Sequence, residues 1–475
     1  MKFFGLALAL AGAVLSACTR PNPRSCKDGS CTDPAFPYCD ADGSLGGEEK
    51  TCIAVACTPG ALIACRGNNA LTCNAAGGDY DLVQCGLGCK EAAGGCQLCR
   101  ANETACTNGK VATCDASGKI VSAETCALGC FEDQPRCREI VPSNNLRTYL
   151  DMVASPPTLE LSNATFNVQD GSVTAGGLSI NIPSFLAPGA GNGVQIRVFV
   201  VDSLKLNSGA IRMAGDGRAA PGPAVAIVAR GDLILRGEIL VEPRVGSALA
   251  GCARSPGTLR YPSANQAIST GGGGGGNATV GAPGGYVAGN SPGGGDPMSG
   301  TSILVPLRGG CSGGIAVDQS GGAFPSGGGA MQLSSRTRID IDATVNLDGD
   351  YGIAEYDGMS AFSIGGGGGG GSFLIEAPSV ALGTSAQLLL RGGHGARGCT
   401  TPGPDCGDGG NGATGTTPAQ VGTTIATVSN AMSVQAGGGG GGLGRLRVNT
   451  ADGHYTKASS AVEEAAVTSG TVQTR

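Results

Sequence analysis

Residues 365–392 read GGGGGGGSFLIEAPSVALGTSAQLLLRG, seven glycines and then three apolar bursts at 373–375, 380–382 and 388–390. Each burst is strand-length. The gaps between them hold turn-forming residues, Glu376-Ala377-Pro378-Ser379 and Gly383-Thr384-Ser385. Three strands with tight corners make one triangular turn of a coiled chain. Such a turn cannot bury its inner face alone and needs copies stacked on it.

Copies are present along the chain. Pairs of apolar residues with one residue between them recur as Leu204/Leu206 with Ile211/Met213, Leu233/Leu235 with Ile239/Val241, Ile339/Ile341 with Val345/Leu347, and Val380/Leu382 with Leu388/Leu390. A further apolar strand precedes each unit, at 194–201, 225–228, 331–333 and 373–375. Period-two alternation puts Leu204 and Leu206 inward and Lys205 in solvent. Residues 159–168 and 178–182 alternate in the same way and read as a first cap, and Leu446 and Val448 belong to a last turn. The polar segment from Ala451 onward reads as an end cap or a frayed tail. Glycine-loaded inserts fall between the units, at one recurrent corner where loops can grow without disturbing the strands.

The glycine is concentrated: 69 of the 86 glycines lie from Leu146 onward, about three times ordinary usage. The runs 271–276, 365–371 and 437–442 admit two readings. One is flexible low-complexity loop. The other is side-chain-free backbone packed as extended polyproline-II-like segments, an approach open only to glycine. With no Trp and few aromatics, a large aromatic-centred core is not expected.

Upstream the chain changes character. Lys2, an apolar run at 3–15 and small residues ending in Leu15-Ser16-Ala17-Cys18 form a secretory signal, residues 1–17. Twenty cysteines remain after Cys18, an even number as pairing in an oxidising compartment requires. Twelve form a tandem repeat. Cys57, Cys65, Cys73, Cys85, Cys89 and Cys96 recur as Cys99, Cys106, Cys114, Cys126, Cys130 and Cys137, shifted by 42 residues and then by 41. Each module is too small to hold a sufficient core, so three bridges per copy supply what burial cannot. Cys26, Cys31, Cys39 and Cys52 form a smaller two-bridge unit. Cys399 and Cys406 bracket a short loop and pair locally, and Cys252 and Cys311 tie the long insert. Fifteen connectivities are open within each six-cysteine module. The expected domains are therefore 18–56, 57–98, 99–141 and 146–475.

Three resemblances add to this reading. Leu15-Ser16-Ala17-Cys18 resembles the bacterial lipobox, which implies lipidation of Cys18 and a membrane held through acyl chains. Thr19 after it implies the outer membrane rather than inner-membrane retention. The spacing and the Leu-Gly-Cys signature of 57–137 resemble cysteine-rich repeats of bacterial surface lipoproteins, where they serve as stalks or binding modules. The glycine runs followed by strand triplets resemble right-handed parallel β-helices of bacterial surface proteins. The expected fold class is thus mainly β, a right-handed parallel β-helix with glycine-rich loops behind small disulfide-rich modules. A β-sandwich or jelly roll is the alternative.

Chemistry is sparse. The net charge of −6 argues against nucleic acid, which needs a basic face. Parallel β-helices host polysaccharide lyases and hydrolases that use clustered carboxylates, often with Ca²⁺, and an Arg or Lys base. The best local candidates are Arg338, Asp340, Asp342, Asp348 and Asp350, with Asp348-Gly349-Asp350 offering oxygens to a structural Ca²⁺. Outward aspartates and Asp-Gly turns are also ordinary surface features. His394 and His454 lie far from the cysteines of 26–137 and outside any nucleophile elbow, which leaves them solvated. Cys96-Gln97-Leu98-Cys99 has redox spacing but is the join between repeats. The expectation is a non-enzymatic surface lipoprotein without cofactor. Its role would be adhesion, contact with an extracellular glycan or protein ligand, or envelope structure. A carbohydrate-active enzyme is the alternative.

Overall fold

The computed structural model describes residues 24–26, 30–40, 48–54, 57–75, 77–97, 99–189, 194–210, 223–241, 257, 259–263, 266–288, 292–295, 300–315, 325–357, 360–399, 405–426 and 433–475. The signal segment, Cys18, Cys252 and the Ile211/Met213 pair lie outside the described residues. The chain divides into two compact units, 1–138 and 139–475. Both are mainly β. Among the described residues, helix is confined to the 3-10 turn Glu91–Ala93 and the short α-helix Arg147–Met152.

The first unit is held by disulfides. Cys26 pairs with Cys39 and Cys31 with Cys52. In the first repeat Cys57 pairs with Cys73, Cys65 with Cys89 and Cys85 with Cys96. The second repeat has the same pattern, Cys99–Cys114, Cys106–Cys130 and Cys126–Cys137. Each copy folds a three-stranded antiparallel sheet, Leu62–Arg66, Asn69–Cys73 and Tyr80–Gln84 in one, Thr104–Thr107, Lys110–Cys114 and Ile120–Thr125 in the other. So dense a set of bridges belongs to an exported protein.

The second unit contains two large sheets. One runs Ser184–Ala187, Ile196–Val201, Ala224–Ala229, Ala330–Ser335, Ser372–Glu376, Arg445–Thr450, Ala466–Thr471, with only the first pair antiparallel. The other begins with antiparallel Leu178–Ile180, Val173–Ala175 and Thr158–Phe166. It continues in parallel through Ser203–Ala210, Leu233–Leu240 and Arg338–Asn346. Ser379–Leu382 and Gln387–Leu389 then lie end to end along that last strand. From Ile196 to Thr471 the chain visits the two sheets alternately. Register aligns Leu204, Leu233, Ile339 and Val380 in one column and Val225, Met331, Phe373 and Leu446 in another. These columns meet in the main core between the sheets.

The middle strands of the sheet containing Ile196–Val201 are buried on both faces. Leu146, Leu150, Leu304 and Leu307 cover its outer side, against Val198, Val200, Ala226 and Leu374. This explains why its strands are continuous apolar runs such as Ala224–Ala229, whereas Arg338–Asn346 alternates buried and partly exposed residues.

Between leaving the second sheet and regaining the first, the chain passes through glycine-rich segments, and here the loop expectation is corrected. All seven amides of 365–371 donate to carbonyls of neighbouring segments. Partners recur every third residue. Gly365, Gly368 and Gly371 bond Ile353, Asp350 and Leu347; Gly366 and Gly369 bond Gly314 and Cys311; Gly367 and Gly370 bond Gly439 and Gly442. A three-residue period is the signature of the extended polyproline-II helix. The three long runs close a ring: Gly272 and Gly275 donate to Ile364 and Gly367, Gly367 and Gly370 to Gly439 and Gly442, and Gly439 and Gly442 to Gly272 and Gly275. A Cβ on Gly366, Gly438 or Gly441 would strike the carbonyl oxygen of Gly273, Gly365 or Gly368. Glycine is used because the chains touch backbone to backbone. Asn277 secures one end, its Nδ2 donating to Gly370 O at 2.7 Å and Gly371 O at 2.9 Å.

Two boundaries differ from expectation, and at a third the end cap replaces the frayed tail. Residues 139–141 belong to the second unit: Val141 N donates to Gln473 O, and Glu139 and Arg475 exchange backbone bonds. The C-terminal segment is strand, with Val462–Glu464 on Gln387–Leu389 and Ala466–Thr471 on Arg445–Thr450. Glu376 is the buried last residue of Ser372–Glu376, not a turn residue.

Candidate functional site

The three-residue period that packs the glycines also aims side chains. After Arg338–Asn346 ends, Leu347, Asp350 and Ile353 present their carbonyls to the 365–371 run. On the neighbouring parallel segment Gly349 N and Gly352 N reach Arg391 O and His394 O. Residues three apart share a face, so Asp348 and Tyr351 on one segment stand beside Arg391 and His394 on the next. On the far side Gly392 and Gly395 donate to Ala413 and Gly410 of an antiparallel segment, which brings up Thr414, Asn411 and Asp408.

The contacts follow this ladder. Arg391 grips Asp348 through Nε at 2.9 Å and Nη2 at 2.6 Å, and its own amide donates to Asp348 Oδ1 at 2.7 Å. Asp348, and Glu464 at 3.4 Å, hold the guanidinium pKa above its usual value against the opposing effect of burial. The Tyr351 ring stacks on His394, centroids 5.4 Å apart and planes 11° apart. His394 Nδ1 is 3.0 Å from Asn411 Oδ1, and Arg397 pairs with Asp408. Asn346, Asp348, Asp350, Tyr351, Arg391 and His394 line a cleft of ≈ 300 Å³.

Burial pushes the Asp350 carboxyl above its ordinary 3.8. An acid raised by folding binds its proton more tightly in the folded chain than in the unfolded one. Its contribution to stability is therefore favourable at low pH and declines as pH rises through the ordinary value to the folded one. Asp350→Asn is expected to be more stable than the parent at pH 7, with the gap closing near pH 3. Denaturant unfolding at the two pH values checks this, and a gap independent of pH would refute the assignment.

The other candidate carboxylates sit elsewhere. Asp340 is 3.4 Å from Arg338, which also bonds Asp232 at 2.8 Å. Asp342 accepts the Ser385 amide at 2.7 Å. Among the described residues no three acidic groups come within 4.8 Å of one another. The one grouping of three potential metal ligands there, Cys26, Cys31 and Cys52, is tied into disulfides. Cys96 and Cys99 bond to different partners, Cys85 and Cys114. Cys399 pairs with Cys406, and Cys311 is disulfide-bonded.

The sequence offered Asp348 and Asp350 as candidate cation ligands beside their reading as ordinary surface residues, and left His394 in a solvated loop, without Tyr351 or Arg391. The signal was available as Asp348/Tyr351, Arg391/His394/Arg397 and Asp408/Asn411/Thr414, each spaced by three. Comparison of the chain with protein-family models, curated proteins and solved structures finds no match.

Proposed function

We propose that the chain is a non-enzymatic, lipid-anchored lipoprotein of the outer membrane or cell surface, and that it works by contact, as an adhesin or a glycan- or partner-binding protein. In this reading Cys18 holds the anchor and the disulfide modules follow it in the chain. The second unit is a right-handed parallel β-helix. Alternate visits to two sheets with parallel neighbours support a coil over a sandwich, whose hairpin and Greek-key links pair strands antiparallel.

The observation that carries the reading is the ladder on the glycine layer. Side chains at 348/351, 391/394/397 and 408/411/414 are held at fixed spacing by backbone hydrogen bonds, which suits a recognition face. Metabolic labelling with a fatty acid tests the anchor. The parent is expected to take up label and sediment with membranes, and Cys18→Ser to do neither. Labelled, membrane-bound Cys18→Ser would sink the proposal.

A carbohydrate-active enzyme has one observation in its favour, the raised Asp350 beside Arg391. Against it stand the separate engagements of Asp340, Asp342 and Asp348. Calcium at Asp348 would have to displace Arg391, so the proposal carries no cation.

A further inference from the structure

We propose that Tyr351, Asp350 and the Asp348–Arg391 pair form a subsite for one neutral pyranose unit of a glycan. This deepens the surface-contact reading and rests on it only for where the glycan comes from.

Tyr351 is 70% exposed, yet its ring is fixed by stacking on His394, which Asn411 holds in turn. One ring face is covered and the other is free. A free aromatic face held flat provides a platform for the C–H face of a sugar ring, whose burial there is favourable. Polar groups that recognise hydroxyls surround it. Nε and Nη2 of Arg391 both bond Asp348 Oδ2, while Nη1 carries two further donors. Asp350 lines the same cleft as a partly buried acceptor. The cleft volume is at the lower end for small-molecule sites, which suits one ring rather than a long chain.

Charge selects the class of sugar. The lone guanidinium of the cleft already faces Asp348 and Glu464, leaving no spare positive charge for a uronate or sialate. A neutral sugar meets no such conflict.

The test uses the full mature protein in detergent on immobilised hexasaccharides of glucose and of N-acetylglucosamine, beside oligoglucuronate and sialylated oligosaccharides. Binding to at least one neutral probe is expected, with affinity at least tenfold weaker in Tyr351→Ala. Tyr351→Phe should stay within threefold, since it keeps the ring. Tyr286→Ala, an exposed tyrosine elsewhere in the glycine layer, should bind as the parent does. Release of reducing ends by the parent and not by Tyr351→Ala would support the subsite while overturning the non-enzymatic reading. Loss of the lipid anchor in the labelling experiment would leave this binding untouched. Binding to no neutral probe, preference for the acidic probes, or full binding by Tyr351→Ala would overturn the subsite.

Discussion

Gly441→Ala is expected to destabilise the second unit by about 3 kcal/mol, and Gly294→Ala to leave it unchanged or slightly more stable. Both residues lie in glycine-rich segments, and neither has a positive φ. They differ in what a methyl group meets. At Gly441 the new Cβ strikes the carbonyl oxygen and carbon of Gly368 on the adjoining run. Gly441 N also bonds Gly393 O, and Gly442 N bonds Gly275 O, so the run cannot withdraw from one neighbour without losing others. At Gly294 no atom lies within 4 Å of where the methyl group would sit, and the main effect is a less flexible unfolded chain. Guanidinium unfolding of the two variants and the parent measures the contrast. If Gly441→Ala stays within about 0.5 kcal/mol of the parent, the runs are not packed backbone to backbone in solution.

The strand columns were legible because inward residues of a half-exposed sheet alternate. Leu204/Leu206, Leu233/Leu235 and Ile339/Ile341 announce themselves at period two, and each pair is buried. The opposite sheet was legible only as apolar strands. Its second buried face depends on Leu146, Leu150, Leu304 and Leu307, distant in sequence from the strands they cover. The disulfide pattern was half legible. A repeat near 41 residues implies that both copies pair alike, but spacing does not choose among pairings. The glycine layer was the hardest part, since a run of identical residues has no pattern of its own. Its period appears only where other residues interrupt the glycine, as at Arg391, His394 and Arg397. Inserts read as variable loops thus concealed the ladder that makes up the candidate site.

Glu376→Ala is expected to be the other severe substitution. Read from the sequence, Glu376 opens a polar turn. In the fold it is 2% exposed on the outer face of its doubly buried strand, and five bonds converge on its carboxylate. Ser143 gives its amide at 2.9 Å and its hydroxyl at 2.6 Å; Gln332 Nε2 donates at 2.9 Å, Ser334 Oγ at 3.0 Å and Asn449 Nδ2 at 3.2 Å. No cation takes part in these bonds, so hydrogen bonds alone compensate the buried charge, and each is of the stronger charge-assisted kind. The donors come from two strands flanking Ser372–Glu376 and from the segment leading into Arg147–Met152. Asn144 next to Ser143 bonds Gln332 and the Leu304 and Leu307 backbone, joining the covering layer to the same network. Truncation to Ala removes every acceptor at once and strands buried donors, at a cost of about 3–5 kcal/mol. Glu376→Gln keeps the shape and one oxygen but turns an amide group toward existing donors, so an intermediate loss is expected. Denaturant unfolding ranks the three proteins. Hydrogen exchange locates the damage, with the amides of Leu150 and Leu307 losing protection before those of Ile339 and Ile341. Uniform loss of protection, or a Glu376→Ala protein as stable as the parent, would show that the carboxylate does not fasten this layer to the sheet.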